Sequence, residues 1–328
     1  MRDQLETVAA RDAGLLTTAA LQERGISPHR VGSLVSSGVL VRVRHGMYVE
    51  GSQWRAATAD ERYVYFVRAT AAGARRPAVL SHVSAAALHG LPTVGPWPRA
   101  VHTIDEDATG GSNGRFTVRH RNVAQPGTVR IQGIVVTSLV RTLIDVATTS
   151  SFLVGVVMVD HALGVEQRRV RDESKLGIRG VPALTKADLL AELERVNPRT
   201  GAQRARQVIH FANALSANPG ETLGRVRMFE LGFEVPELQV HFAVNGNDYW
   251  VDYFWRGVRK IGEFDGLLKY TRGAVLGDRD PADVVVAEKL HEDELRPLVN
   301  SFCRWTWDIA ISPRLFHRFL LEHDVPRA

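Results

Sequence analysis

Residues 249–270 read YWVDYFWRGVRKIGEFDGLLKY, and the rest of the chain is organised around them. Two runs rich in aromatic and β-branched residues, 249–255 and 259–264, are joined by the turn pair Arg256-Gly257, which predicts two antiparallel strands. Asp252 lies inside the first run, and Glu263 and Asp265 close the second. A carboxylate within an apolar strand is costly unless something pairs with it. On neighbouring strands Asp252 and Glu263 converge at one end of a sheet. With Asp265 they make an all-oxygen pocket suited to Mg²⁺ or Mn²⁺. Lys269, four residues beyond Asp265, is placed to orient a water or neutralise a phosphate oxygen. Taken singly, each carboxylate is more simply read as a solvated or capping side chain, and Asp265 as a turn residue before Gly266; together, in order and at strand ends, they favour a site.

These residues resemble the PD-(D/E)xK nuclease superfamily, in which an acid on one strand is followed by Glu-x-Lys on the next. Here Asp265 stands in the lysine's place, and E-x-D-G-x-x-K-Y is similar to a branch related to very-short-patch-repair endonucleases. Glu221, in NPGETLGRVR, matches the acid that such families carry on a preceding helix. AEKLHEDELR and then FCRWTW look like the closing helix and strand. The resemblance covers residues 218–322 and implies a restriction-endonuclease-like α/β domain over residues 216–328. It also implies a metal-dependent DNA endonuclease with Asp252, Glu263 and Asp265 as ligands, assisted by Glu221 and Lys269. A turn at Gly266 leading into a helix would carry Lys269 back over the carboxylates. Lys260 is three residues before Glu263, on the opposite strand face. Lys289 has acidic neighbours that explain it more simply.

A chain of 328 residues is long for one core and comfortable for two or three domains. The net charge of +5 and pI near 9.6 suit a polyanionic partner. Cys303 is the single cysteine, which excludes an intrachain disulfide and a multi-cysteine zinc site; it reads as a buried strand residue. The longest strongly apolar stretch, 146–159, is too short to span a bilayer, and no leader is visible in residues 1–11. The expectation is a cytoplasmic protein without a membrane partner.

Toward the N-terminus, Thr17 or Thr18 caps a short helix that Gly25 ends, and Ser27-Pro28 starts another that Gly38 stops. VLVRVRHGMYV then folds back as a hairpin about residues 44–46. That order predicts a winged helix-turn-helix over residues 1–52. No acid occurs between Glu23 and Glu50. A recognition helix presenting His29, Arg30 and Ser33, with Arg42 and Arg44 on the wing, suits phosphate contacts at a major groove. The alternative is a winged helix that only packs on a neighbour or a protein partner. Residues 53–164 read as an α+β domain closing with one long helix over 138–164, in which Arg141 and Asp145 form a helix-surface pair. His82 and His89, seven apart, take packing or capping roles. Residues 165–215 read as a helical connector, with 166–182 charged and loop-like.

GLLTTAALQERGIS, LVSSGVLVRVRHGMYV, LSHVSAAALHGLP and TSLVRTLIDVA resemble AbiEi-type antitoxins of type IV toxin–antitoxin systems. The resemblance, over residues 5–163, implies a DNA-binding autorepressor whose second domain supports neutralisation of a nucleotidyltransferase toxin. The whole chain therefore reads as an α/β multidomain protein. It is either a metal-dependent DNA endonuclease targeted by its N-terminal half, or a DNA-binding antitoxin with a degenerate, non-cleaving nuclease domain. A third reading is a phage-defence factor whose N-terminal half senses a phage component.

Overall fold

The computed structural model of the chain describes residues 14–74, 78–105, 112–121, 124–266, 292 and 294–328. It divides into two compact units, Met1–Met158 with Lys186–Ile209, and Val159–Thr185 with His210–Ala328.

The first unit opens with β1 (Leu16–Thr17), α1 (Thr18–Gln22), α2 (Pro28–Ser36), β2 (Leu40–Arg44) and β3 (Met47–Glu50). Thr17 Oγ1 accepts the Ala20 amide at 3.0 Å and caps α1. Ser27 caps α2, with Pro28 in the first helical turn. The apolar residues at helical spacing, Leu21, Val31 and Leu34, close over Leu16, Leu40 and Tyr48 in one cluster. The strands form a three-stranded sheet in the order β1-β3-β2. A Cβ on Gly51 would lie 2.0 Å from the Gly38 carbonyl, so that close approach of the helix end to the chain leaving the hairpin requires glycine. Helix, helix and hairpin follow in the order the caps predict.

Then come α3 (Gly51–Ala56), α4 (Ala59–Ala72), β4 (Val79–Leu80), α5 (His82–Leu88), β5 (Val101–Asp105), β6 (Ser112–Asn113), β7 (Thr117–Arg121), β8 (Thr128–Ile131), β9 (Ile134–Thr137) and α6 (Leu139–Thr149). The strands make a six-stranded mixed sheet, ordered β6-β7-β5-β4-β9-β8. The long helix expected over 138–164 is in fact two, α6 and α7 (Phe152–Lys175). Ser150 is extended, and Ser151 Oγ accepts the Val154 amide at 3.3 Å, so adjacent serines end one helix and cap the next. The expected loop over 166–182 is also corrected, because α7 continues to Lys175. Arg169 holds it there by bridging Glu166 and Glu173, each at 2.8 Å and one helical turn away. α8 (Lys186–Val196) and α9 (Ala202–Phe211) follow.

The second unit adds α10 (Pro219–Glu230), β10 (Glu237–Val244), β11 (Asn247–Trp255), β12 (Lys260–Asp265), β13 (Ser301–Thr306), α11 (Trp307–Ile311) and α12 (Pro313–Glu322). β10, β11 and β12 are successive antiparallel neighbours, and β13 returns parallel to β12. Tyr253, Trp255 and Trp305 are wholly buried. α10 lies close on this sheet through its glycines. A Cβ on Gly220 would meet the Phe264 ring at 2.0 Å, and one on Gly224 the Tyr253 hydroxyl at 2.8 Å. That approach brings Glu221, between them, to the sheet.

Candidate functional site

Strand register assembles the central residues. Glu263 on β12 pairs with Arg304 on β13. Asp252 on β11 lies one position beyond the pair Tyr253–Gly262, which sets it against Glu263. Gln239 on β10 falls between the pairs Leu238–Tyr253 and Val240–Val251, which sets it against Asp252. Four adjacent strands thus place Gln239, Asp252, Glu263 and Arg304 in one cross-strand row, the arrangement in which side chains interact most directly.

Hydrogen bonds fix the row. Asp252 Oδ2 accepts the Phe264 amide at 2.9 Å, and Arg304 Nη2 donates to Glu263 Oε2 at 2.7 Å. The Gln239 amide lies between two carboxylates, 3.4 Å from Asp252 Oδ1 and 3.5 Å from Glu221 Oε2. Gln239 has φ +51, a left-handed backbone uncommon for a side chain of this kind, while the pairs on either side of it keep one register. Glu221 is buried and also accepts the Ala217 amide at 2.8 Å and the Asn218 side chain at 2.6 Å. The Glu263 carboxyl is pushed up to about 7, chiefly by burial, with the negative charge of Asp252 adding and Arg304 opposing.

Three of the expected carboxylates, Glu221, Asp252 and Glu263, are therefore brought together. Asp265 is half-buried two residues further along β12, in register with Thr306. Lys269 and Lys289 lie outside the described residues. Among the described residues, no group of three or more His, Cys, Asp or Glu side chains is placed to hold a metal ion. Gln239 and Arg304 were not expected from the sequence. Their only signal there is a polar residue inside a strand-like run, and the parallel return of β13 that pairs Arg304 with Glu263 is not local.

In the first unit, His29, Arg30 and Ser33 are exposed on α2, and Arg42 is exposed on β2. Arg44 is placed differently: its guanidinium lies 4.1 Å from the Phe116 ring centroid and 5.6 Å from that of Phe66. Burial and then Arg115 hold its pKa below the usual arginine value. The aromatic rings thus tie the base of the hairpin to α4 and the segment before β7.

A second cluster lies beneath α5 and α6. The His82 and His120 rings stack with centroids 3.5 Å apart, and His102 Nδ1 is 2.9 Å from His120 Nε2. His82 Nδ1 contacts Ser81 Oγ at 2.9 Å and lies 3.8 Å from Asp145 Oδ2. Arg141 Nε donates to Asp145 Oδ1 at 2.8 Å, and both side chains are buried, which corrects the expected helix-surface pair. Burial lowers the pKa of all three histidines, that of His102 to about 4. His89 is separate and bonds the Thr137 carbonyl at 2.8 Å.

Residues 3–51 match the model of a family described as "Transcriptional regulator, AbiEi antitoxin". The match covers the winged-helix segment. No curated protein matches the chain. Among the described residues no helix is long and apolar enough to cross a membrane.

Proposed function

We propose that this protein is a DNA-binding regulator of the AbiEi antitoxin kind whose second unit is a metal-dependent DNA endonuclease. The observation that carries the first part is the acid-free window between Glu23 and Glu50, inside the segment that matches the antitoxin family, with His29, Arg30 and Ser33 exposed along α2 and Arg42 exposed on the hairpin. Such a helix enters a major groove while the hairpin arginines meet phosphates. Arg44, seated on Phe116 and Phe66, sets the wing's position and contributes charge at its base. Arg30→Ala and Arg42→Ala are each expected to weaken duplex binding and to lower the salt slope by roughly one phosphate contact. Wild-type binding by both variants across a salt titration would place the DNA contact elsewhere.

The second part rests on the row that joins Asp252, Glu263 and, through Gln239, Glu221. Carboxylates crowded enough for Asp252 to help hold Glu263's pKa up to about 7 suit a cation that relieves their charge. Mg²⁺ and Mn²⁺ keep most of their water and need only one or two carboxylates. Asp252 and Glu263 would hold the ion, with Asp265 and Glu221 acting through water. When bound, it lowers the pKa of a coordinated water and offsets charge on the phosphate. The reaction adds water across a phosphodiester. The water oxygen forms a new P–O bond, the P–O bond to the leaving sugar oxygen breaks, and a proton from the water ends on that oxygen. Within the protein, Gln239 orients Asp252 and Glu221 toward each other, and the Phe264 amide fixes Asp252. Glu263→Gln keeps the shape and is expected to abolish Mn²⁺-dependent cleavage of plasmid DNA while DNA binding by the first unit persists. Cleavage undiminished in that variant would remove Glu263 from the mechanism.

A binding-only role for the second unit is favoured by one observation, the aspartate at position 265 where a lysine is expected. Absence of cleavage by clean wild-type protein on duplex DNA, single-stranded DNA and RNA would select it. An adjacent nucleotidyltransferase gene would then point to toxin neutralisation, and its absence to sensing of a phage component.

A further inference from the structure

The missing lysine of Glu-x-Lys leaves a site of carboxylates in need of a permanent cation, and the described structure offers one on a different strand. Glu263 and Arg304 occupy paired positions on the parallel strands β12 and β13. Arg304 Nη2 lies 2.7 Å from Glu263 Oε2 and 3.7 Å from Glu292 Oε2, so two carboxylates hold the guanidinium in place. Its guanidinium carbon lies over the Phe302 ring, 5.8 Å from the centroid. Lys260, three residues before Glu263, is buried and pairs with Ser301, on the alternate side of the strand.

We propose that Arg304 supplies the cation that Glu-x-Lys has lost, contacting the scissile phosphate of a nucleic acid while its other edge bonds Glu263. This rests on the endonuclease reading above and adds a residue to it. A guanidinium carries five N–H donors in a rigid fork, so it can bond a carboxylate and a phosphate oxygen together. It does not deprotonate in a protein, which excludes it as the base that activates water. Its role is to offset the charge that builds on the phosphate oxygens as water attacks. The position has a second consequence. Because Arg304 already neutralises part of Glu263, it competes with a divalent ion for that carboxylate.

Charge stabilisation and competition predict effects of opposite sign. Arg304→Gln is expected to slow Mn²⁺-dependent plasmid cleavage by ~10²–10³, the usual loss for one electrostatic donor. The same variant is expected to bind Mn²⁺ about tenfold more tightly by calorimetry, since a charge-assisted hydrogen bond to the ligand is removed. Arg304→Lys keeps the charge but not the fork that spans carboxylate and phosphate, and should cleave more slowly than wild type and faster than Arg304→Gln. Cleavage by Arg304→Gln at the wild-type rate would overturn the proposal and leave the endonuclease reading standing. Slower cleavage together with weaker Mn²⁺ binding would also overturn it, because a residue that merely positions Glu263 behaves that way. If Arg304→Gln does not fold, Arg304→Lys decides: slowed cleavage with Mn²⁺ binding undiminished supports the proposal, and cleavage at the wild-type rate or slowed cleavage with weakened Mn²⁺ binding overturns it. Wild-type protein that binds Mn²⁺ and cleaves nothing would overturn the endonuclease reading, and this role with it.

Discussion

Replacing Asp145 by alanine strands a charge. Arg141 and Asp145 have side chains only 3% and 6% exposed, with Nε and Oδ1 2.8 Å apart. An exposed i,i+4 pair of this composition would contribute about 0.3–0.5 kcal/mol. Removing one partner of a buried pair instead costs about 3–5 kcal/mol, because the remaining ion keeps its desolvation penalty without its counter-charge. For a unit of this size that is a fall in Tm of roughly 6–20 °C. The reverse deletion should be milder. A guanidinium cannot shed its proton, whereas the Asp145 carboxyl is already raised to about 6 by burial and can take one up when Arg141 is gone. Arg141→Met also loses the 2.9 Å bond to the Ala124 carbonyl, which keeps its cost above zero. Urea unfolding followed by tryptophan fluorescence and far-ultraviolet dichroism measures both variants at pH 7. A loss below about 1 kcal/mol for Asp145→Ala, or a larger loss for Arg141→Met than for Asp145→Ala, would refute the argument.

The histidine cluster gives a pH dependence whose sign can be worked out. His82, His102 and His120 have lowered folded pKa values, so the unfolded chain takes up their protons first. Their stabilising contribution is present above 6.5 and is lost as pH falls toward the His102 value of about 4. Asp145 works the other way between about 6 and 3.8, with Arg141 and Glu192 as its charged neighbours, but it is one group against three. Melting curves from pH 7.5 to 4.5 should show the first unit losing stability below pH 6.5, and a flat profile would refute this. Limited proteolysis should cut first within residues 176–185, where Leu176 is 75% and Val181 74% exposed. First cuts inside β10–β12 would count against it.

What could be read in advance follows the range of each interaction. Ser27-Pro28, Gly38 and the acid-free hairpin are local signals, and the winged-helix elements stand where those residues put them. Asp252 and Glu263 were legible for the same reason, because a short turn fixes the register of adjacent strands. Arg304 was not, since its partner is 41 residues away across a parallel pairing. The Arg141–Asp145 spacing showed that the two side chains share a helix face, but i,i+4 geometry does not say whether that face meets water or the core. The continuation of α7 was encoded in Glu166, Arg169 and Glu173, yet charge density there resembles a loop until the spacing is counted. Gln239 depends on a left-handed backbone that no residue type announces.

The interleaving of the two units bears on how the protein is made. Unit one is completed by Lys186–Ile209, which the ribosome delivers only after Val159–Thr185, the first instalment of unit two. The N-terminal winged-helix segment has its small core as soon as residue 50 emerges, but the fold around it must wait for residue 209. During synthesis the chain therefore passes through a stage in which every residue of the winged-helix core has been made while both larger units are still incomplete. The same order explains what a single nick within residues 176–185 would produce. Each fragment carries part of each unit, so the nicked protein should run as one species under native conditions and come apart only in denaturant.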